Sequence, residues 1–185
     1  MKAELRYKYK IKRKYFQHSA REVADGAIAD IIMEAFGDRE SFFIYHSFSS
    51  EADTHGVIAK LLEAGKRVYL PKTVNGEMYP VRYTGNADEL EVNSYGIAEP
   101  RGQACQDAEA EGIEVCITPL LAVNSRGYRL GYGGGFYDRF FQKYGGILRV
   151  GMGYFLQYTD EFQEEQHDYP LDMFVCERGI IYFGK

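Results

Sequence analysis

Short apolar runs alternate with amphipathic helical segments along almost the whole chain, and this alternation limits the fold more than any other feature. Ser41 to Ser47 (SFFIYHS), Arg67 to Pro71 (RVYLP), Ile113 to Thr118 and Ile147 to Tyr154 read as buried strands. Phe174 to Glu177 and Ile180 to Phe183 read as a closing strand pair around Arg178-Gly179. Glu77 to Tyr83 reads as a strand that Pro80 confines to an edge or a bulge, because proline has no N–H for a ladder. Between these runs lie helical patterns. Leu5, Tyr9 and Phe16 mark the apolar face of a first helix. Ser19-x-x-Glu22 is a capping box opening a second helix, with Ala24, Ile28, Ile31 and Ala35 on its core face and Gly37 as its stop. Asp53 or Thr54 caps a third helix running to Ala64, which Gly65 ends. Strands separated by helices imply an α/β fold with a mostly parallel sheet and helices on both faces. A length of 185 residues suits a single domain, residues 1–185, without linkers or internal repeats.

The stretch Arg126 to Phe140, RGYRLGYGGGFYDRF, breaks the pattern with five glycines, three of them consecutive at Gly133, Gly134 and Gly135. Such a run buries no side chain and loses much backbone entropy, so it belongs where backbone must approach something closely or take positive φ. Successive N–H groups in such a turn make a concavity for anions, and a following helix adds its positive N-terminal end. Phe136, Phe140 and Phe141 outline the apolar face of that helix. Arg126, Arg129 and Arg139 bring fixed positive charge suited to phosphate, and Asp138 is placed to hold a magnesium ion shared with phosphates. No Gly-Lys-Ser/Thr follows, so the loop is not a Walker A, and G-x-G-x-x-G is not completed either.

The segment YRLGYGGGFYDRF closely resembles the signature of 5-formyltetrahydrofolate cyclo-ligases, usually RLGxGxGYYD, with Phe136 in place of the first tyrosine. The resemblance runs in order from Lys2 to Asp172 and implies a three-layer Rossmann-like fold. It implies that Arg129, Gly131, Tyr132, Gly133, Gly134, Gly135, Phe136, Tyr137 and Asp138 bind ATP, with Tyr137 also facing the folate. Lys2 and Arg6 match the family's K-x-x-x-R, a pair at the nucleotide phosphates whose arginine also meets substrate; four residues apart on a helix, they share a face. Arg6 and Arg129 are the implied catalytic cations. Glu51, in Glu-Ala-Asp-Thr, matches the glutamate that holds the pterin, and His46 matches a substrate-lining position. Tyr95, in Tyr-Gly-Ile-Ala-Glu-Pro, matches the aromatic ring lining the folate pocket. Asp168, in Glu-Gln-His-Asp, matches a metal-associated position, whereas Asp172 reads as a structural turn cap. Two departures stand out: Gln166 replaces a usual proline, and Asn124 replaces an aspartate common before the signature.

The implied activity is ATP- and magnesium-dependent conversion of 5-formyltetrahydrofolate to 5,10-methenyltetrahydrofolate, with ADP and phosphate released. Such chemistry asks for positioning and charge neutralisation rather than a protein nucleophile, and the chain offers no convincing Ser/His or Cys/His arrangement. The rival readings are a catalytically silent nucleotide- or folate-binding relative and a nucleic-acid-binding protein. Residues 1–14 carry a net +6, which leaves −11 on the rest of a chain whose total is −5. That acidic remainder opposes nucleic-acid binding, so Lys8, Lys10, Lys12, Arg13 and Lys14 read as a solvated basic face. No apolar run approaches the ~18 residues of a membrane span. Cys105, Cys116 and Cys176 form neither a disulfide framework nor a zinc pattern, which fits a reducing cytoplasm. The expected protein is a cytoplasmic monomer whose partners are small molecules.

Overall fold

The computed structural model describes residues 2–93, 96–104 and 107–184. In chain order its elements are α1 (Lys2–Lys14), α2 (His18–Phe36), β1 (Ser41–Ile44), α3 (His55–Glu63), β2 (Arg67–Val74), β3 (Glu77–Tyr83), β4 (Leu90–Val92), β5 (Ala98–Pro100), α4 (Asp107–Glu111), β6 (Val115–Thr118), β7 (Ala122–Val123), β8 (Arg129–Leu130), α5 (Phe136–Lys143), β9 (Leu148–Met152), β10 (Met173–Cys176) and β11 (Gly179–Tyr182). Seven strands form one sheet in the order β11-β10-β9-β6-β1-β2-β3. The five inner strands are parallel, and antiparallel hairpins close both edges. The α/β expectation therefore holds. Pro80 does lie on an edge strand, opposite Pro71, where a missing N–H costs the ladder least.

Strands β1 and β6 are buried along their whole length because both faces of the sheet are covered there. Phe42, Ile44, Val68, Val115 and Ile117 pack against α2 and α3, while Phe43, Tyr69 and Cys116 face the α5 side with Phe140, Phe141 and Tyr144. Cys116 and Cys176 are buried free thiols, and burial raises the pKa of both. Among the described residues, no helix is long and apolar enough to cross a membrane.

Chain order reverses at β1, since β2 follows on one side and β6 lies on the other. In an open parallel sheet the crevice beyond such a reversal is where ligands bind. Here it receives two segments: residues 45–54 after β1, and the run after β6 that leads through the β7–β8 hairpin into the glycine loop.

Several local expectations are corrected. Strand β1 ends at Ile44 rather than Ser47. Beyond it the chain folds on itself: the Ser47 N–H donates to Thr54 Oγ1 at 2.8 Å, the Thr54 N–H donates to Ser47 Oγ at 3.0 Å, and the Tyr45 hydroxyl donates to the Ala52 carbonyl. Helix α2 starts two residues earlier than the capping box predicts, with Gln17 rather than Ser19 at the N-cap and no side-chain cap. Glu22 pairs with His18 instead. The buried face of α2 is Ala24, Ile28, Ala29, Ile32 and Phe36; Ile31 is half-buried and Ala35 exposed. Asp172 is not a turn cap: it accepts from Nε, Nη2 and the backbone N–H of Arg149, which ties the segment before β10 to β9.

Candidate active site

Helix α1 lies across the crevice and reaches it with four residues at helical spacing, Lys2, Arg6, Tyr9 and Arg13. Tyr9 is 1% exposed and packs with Leu121, Leu130 and Phe162, which fixes the helix on the β7–β8 hairpin. From that anchor Lys2 Nζ reaches Glu165 at 2.9 Å and Asp168 at 3.4 Å. Arg6 Nε donates to the Gly131 carbonyl at 3.0 Å. Arg13 corrects the solvated-face expectation. It is 3% exposed and donates to Ser50 Oγ, the Leu120 carbonyl and the Tyr132 hydroxyl. Lys8 stays on the surface, paired with Glu161.

The glycine loop joins β8 to α5. Gly133 has φ +102° and Gly135, the N-cap of α5, has φ +64°, both in the left-handed region that favours glycine. Gly134 is glycine for another reason: a Cβ there would lie 2.6 Å from the Phe136 ring. Arg6 lies flat along the loop, so a Cβ at Gly133 would sit 3.4 Å from its guanidinium carbon. Arg139 donates to the Gly134 and Gly76 carbonyls and braces the loop from outside. Arg126 pairs with Glu164 and is not among the residues lining the cavity, contrary to expectation.

One cavity is lined by Lys2, Arg6, Arg129, Gly131 to Asp138 and Asp168, so the sequence-predicted ATP and metal residues all converge. Arg129 Nη2 donates to Asp138 Oδ1 at 2.9 Å, and the Tyr169 N–H reaches the same oxygen at 3.1 Å. The Arg129 guanidinium also lies over the Tyr137 and Phe141 rings. Asp168 Oδ2 accepts the Glu165 N–H. Glu165 and His167, not singled out from sequence, line the cavity too, and with Asp168 they offer ligand atoms within 4.8 Å of one another. Their closeness to Asp168 within Glu-Gln-His-Asp was the available signal. Two carboxylates are a donor set that fits magnesium, which prefers oxygen.

Glu51 lies behind this cavity rather than on it. It is 7% exposed, and burial raises its pKa against the opposing pull of Tyr132, the Phe48 N–H and Arg13. Its Oε1 accepts the Tyr132 hydroxyl at 2.5 Å and its Oε2 the Phe48 N–H at 3.1 Å. Glu51 also lines a second, polar recess with Arg21, Asp25, Ser47, Asp53 and His55. His46 is half-buried just beyond β1, its ring edge-on to His55 at 4.4 Å, and burial followed by the neighbouring His55 lowers its pKa. Tyr95 lies outside the described residues. Arg13 was missed because its acceptors are far away in sequence; its place four residues after Tyr9 on the anchored stripe was the available hint.

The chain matches the model of the 5-formyltetrahydrofolate cyclo-ligase family over residues 1–177. A 5-formyltetrahydrofolate cyclo-ligase of Escherichia coli K12 is 36% identical over 142 residues, covering 74% of this chain and 78% of that protein. The corresponding Haemophilus influenzae protein is 29% identical over 160 residues, covering 84% of each. The NMR structure of Aquifex aeolicus 5,10-methenyltetrahydrofolate synthetase superposes with a TM-score of 0.85 at 26% identity, covering 100% of this chain and 93% of that one. With a match that leaves out only the last residues, and with cavity-lining residues that coincide with the signature, this chain belongs to the 5-formyltetrahydrofolate cyclo-ligase family of ligases.

Proposed function

We propose that the protein catalyses the ATP- and magnesium-dependent conversion of 5-formyltetrahydrofolate to 5,10-methenyltetrahydrofolate, releasing ADP and phosphate. The observation that carries this reading is the convergence of Lys2, Arg6, Arg129 and the glycine loop on one cavity in a chain of this family. The formamide oxygen of the substrate is a poor leaving group. Transfer of the γ-phosphoryl group from ATP converts it to a phosphate ester. Nitrogen 10 then attacks the formyl carbon, the carbon–oxygen bond breaks, phosphate departs with the electron pair, and nitrogen 10 gives up its proton as the ring closes.

Lys2 and Arg6 from α1 and Arg129 from β8 bring positive charge to one cavity, which suits the spread negative charge of a transferring phosphoryl group. Arg129 is already held by Asp138 and by two aromatic rings, so its charge is positioned before substrate arrives. Asp168 and Asp138 are the carboxylates we assign to magnesium, with Glu165 beside Asp168. Magnesium would supply charge neutralisation at the phosphates. Glu51 is assigned to the pterin, His46, Tyr95 and Tyr137 to the remainder of the folate. Bound together, the two reacting groups of the folate need no diffusional encounter.

The test is to mix the purified chain with 5-formyltetrahydrofolate, ATP and magnesium and to follow methenyl absorbance, with ATP-free and magnesium-free controls. ATP-dependent growth of the signal is the expected result. Binding of both ligands without turnover would identify a silent relative and overturn the proposal.

A further inference from the structure

The hydroxyl of Tyr132 stands between two charged groups that belong to different parts of the site. Arg13 Nη2 donates to it at 2.6 Å, and it lies 2.5 Å from Glu51 Oε1. A guanidinium has only donors, so the hydroxyl accepts from Arg13, and its single proton is directed to Glu51. Tyr132 is itself part of the glycine loop, between Gly131, whose carbonyl Arg6 grips, and Gly133, which Arg6 lies against. Arg13 meanwhile holds Ser50, the residue next to Glu51. One side chain of the phosphate loop is thus bonded to the carboxylate assigned to the folate.

We propose that Tyr132, held by Arg13, is a positioning residue that couples the two substrate sites: ordering of the glycine loop by nucleotide fixes the Tyr132 hydroxyl, which in turn fixes Glu51 for the folate. The inference rests on the reading of Glu51 given above. Its motivation is geometric. Glu51 is buried, one oxygen is fixed by its own loop through the Phe48 N–H, and the other is fixed only from the glycine loop among its described bonds. Any ligand that restrains that loop restrains the carboxylate, and by linkage the effect runs equally in both directions.

The measurement is the dissociation constant of 5-formyltetrahydrofolate, by calorimetry on the full chain, with and without a saturating β,γ-imido analogue of ATP. In the unaltered protein the analogue should tighten folate binding several-fold, within the usual range of such couplings. Tyr132→Phe keeps a ring that is 45% exposed and removes only the hydroxyl. It should weaken folate binding about tenfold, the order expected for losing one hydrogen bond to a charged group, and bring the coupling factor to about one. Affinity for the analogue alone, measured in parallel, separates any direct effect at the nucleotide site from the change in the coupling factor. Arg13→Lys keeps the charge but lacks the fork that reaches three acceptors, and it should reduce the coupling in part; it decides the matter if Tyr132→Phe does not fold. An unchanged coupling factor in both variants would overturn the proposal. Glu51→Gln separates this from the parent reading: unchanged folate affinity there would remove Glu51 from the folate site altogether.

Discussion

Arg129 Nη2 and Asp138 Oδ1 form an ion pair of 2.9 Å on the wall of the cavity, with side chains 5% and 21% exposed. The pair joins β8 to α5, and through the Tyr169 N–H it also holds the chain that carries Asp168. Asp138 therefore has a partner in the protein itself, in addition to the magnesium role assigned to it. This predicts that Asp138→Asn destabilises the ligand-free, metal-free protein by about 2 kcal/mol. That is less than the ~3–5 kcal/mol for breaking a fully buried pair, because Asp138 keeps some solvent. Urea unfolding in the presence of a chelator measures it. Unchanged stability would show that the pair contributes nothing to the fold and leave Asp138 a ligand residue alone.

Gly134 makes a different kind of prediction. A Cβ at this position meets the Phe136 ring 2.6 Å away, so Gly134→Val must displace that ring or the loop. ATP affinity should fall more than tenfold, while the loop position keeps the global cost to roughly 1–2 kcal/mol. Gly134→Val combined with Phe136→Ala separates the causes. Recovered ATP affinity in the double variant assigns the loss to the ring; continued loss assigns it to blocked approach of phosphate to the backbone.

Asp168 is predicted to matter for metal rather than for the fold. Its Oδ2 is bonded to the Glu165 N–H and faces Lys2. Asp168→Asn should raise the magnesium concentration needed for half-maximal rate. Combined with Asp138→Asn, it should give a non-additive loss if both carboxylates act on one ion. Rate against magnesium at saturating ATP and folate, for both single variants and the double, checks this. An unchanged magnesium dependence in Asp168→Asn would reduce it to a residue that orders the segment around Glu165.

The outline of the fold was legible because its signals are local. Both-face burial makes β1 and β6 read as plain apolar runs, and Pro80 marks an edge strand wherever it falls. The glycine loop was legible as a candidate site because arginines and a carboxylate accompany its three consecutive glycines, which alone would suit a plain turn equally well. What stayed hidden depends on contacts between distant residues. Arg13 looks like its solvated neighbours until Ser50, Leu120 and Tyr132 surround it. The end of β1 was placed too late because Tyr45 is as apolar as the strand, yet its hydroxyl turns back to Ala52. The reason for Gly134 lies in a ring two residues away, and no local pattern separates that from a need for positive φ.

Removal of residues 1–6 should cost activity far more than stability. The anchors of α1, Tyr9 and Arg13, lie beyond the cut, and Leu5 is the partly buried apolar residue lost from their cluster. That loss is worth about 1–2 kcal/mol. Lys2 and Arg6 go with it, removing two of the cations that line the cavity. The expected result is an unfolding midpoint near that of the full chain with turnover reduced at least a hundredfold, since each lost charge contact to a phosphoryl group contributes on the order of tenfold or more. Equal turnover in the two proteins would return Lys2 and Arg6 to the surface of a basic helix.

The last prediction concerns pH and the loop that presents Glu51. Asp53 Oδ1 lies 2.5 Å from His55 Nδ1 at the start of α3, and Asp53 Oδ2 also accepts the Gly56 N–H. The hydrogen bond to His55 is the largest cause holding the Asp53 carboxyl down at about 2, and the same bond raises His55. A raised histidine stabilises the fold fully below its ordinary value of 6.5 and loses that contribution as pH rises through its folded value. A depressed aspartate stabilises above its ordinary 3.8 and loses that contribution as pH falls towards about 2. Both contributions are present between those ordinary values, so His55→Ala should cost most near pH 5.5 and less at pH 8.5. The side chains are 53% and 40% exposed, so solvent screening limits the difference to ~0.5–1 kcal/mol. Urea midpoints of the unaltered protein and the variant at the two pH values give it directly. Equal costs at both would mean that His55 supports the loop by packing against His46 and bonding to Ser47, with no ionic contribution from Asp53.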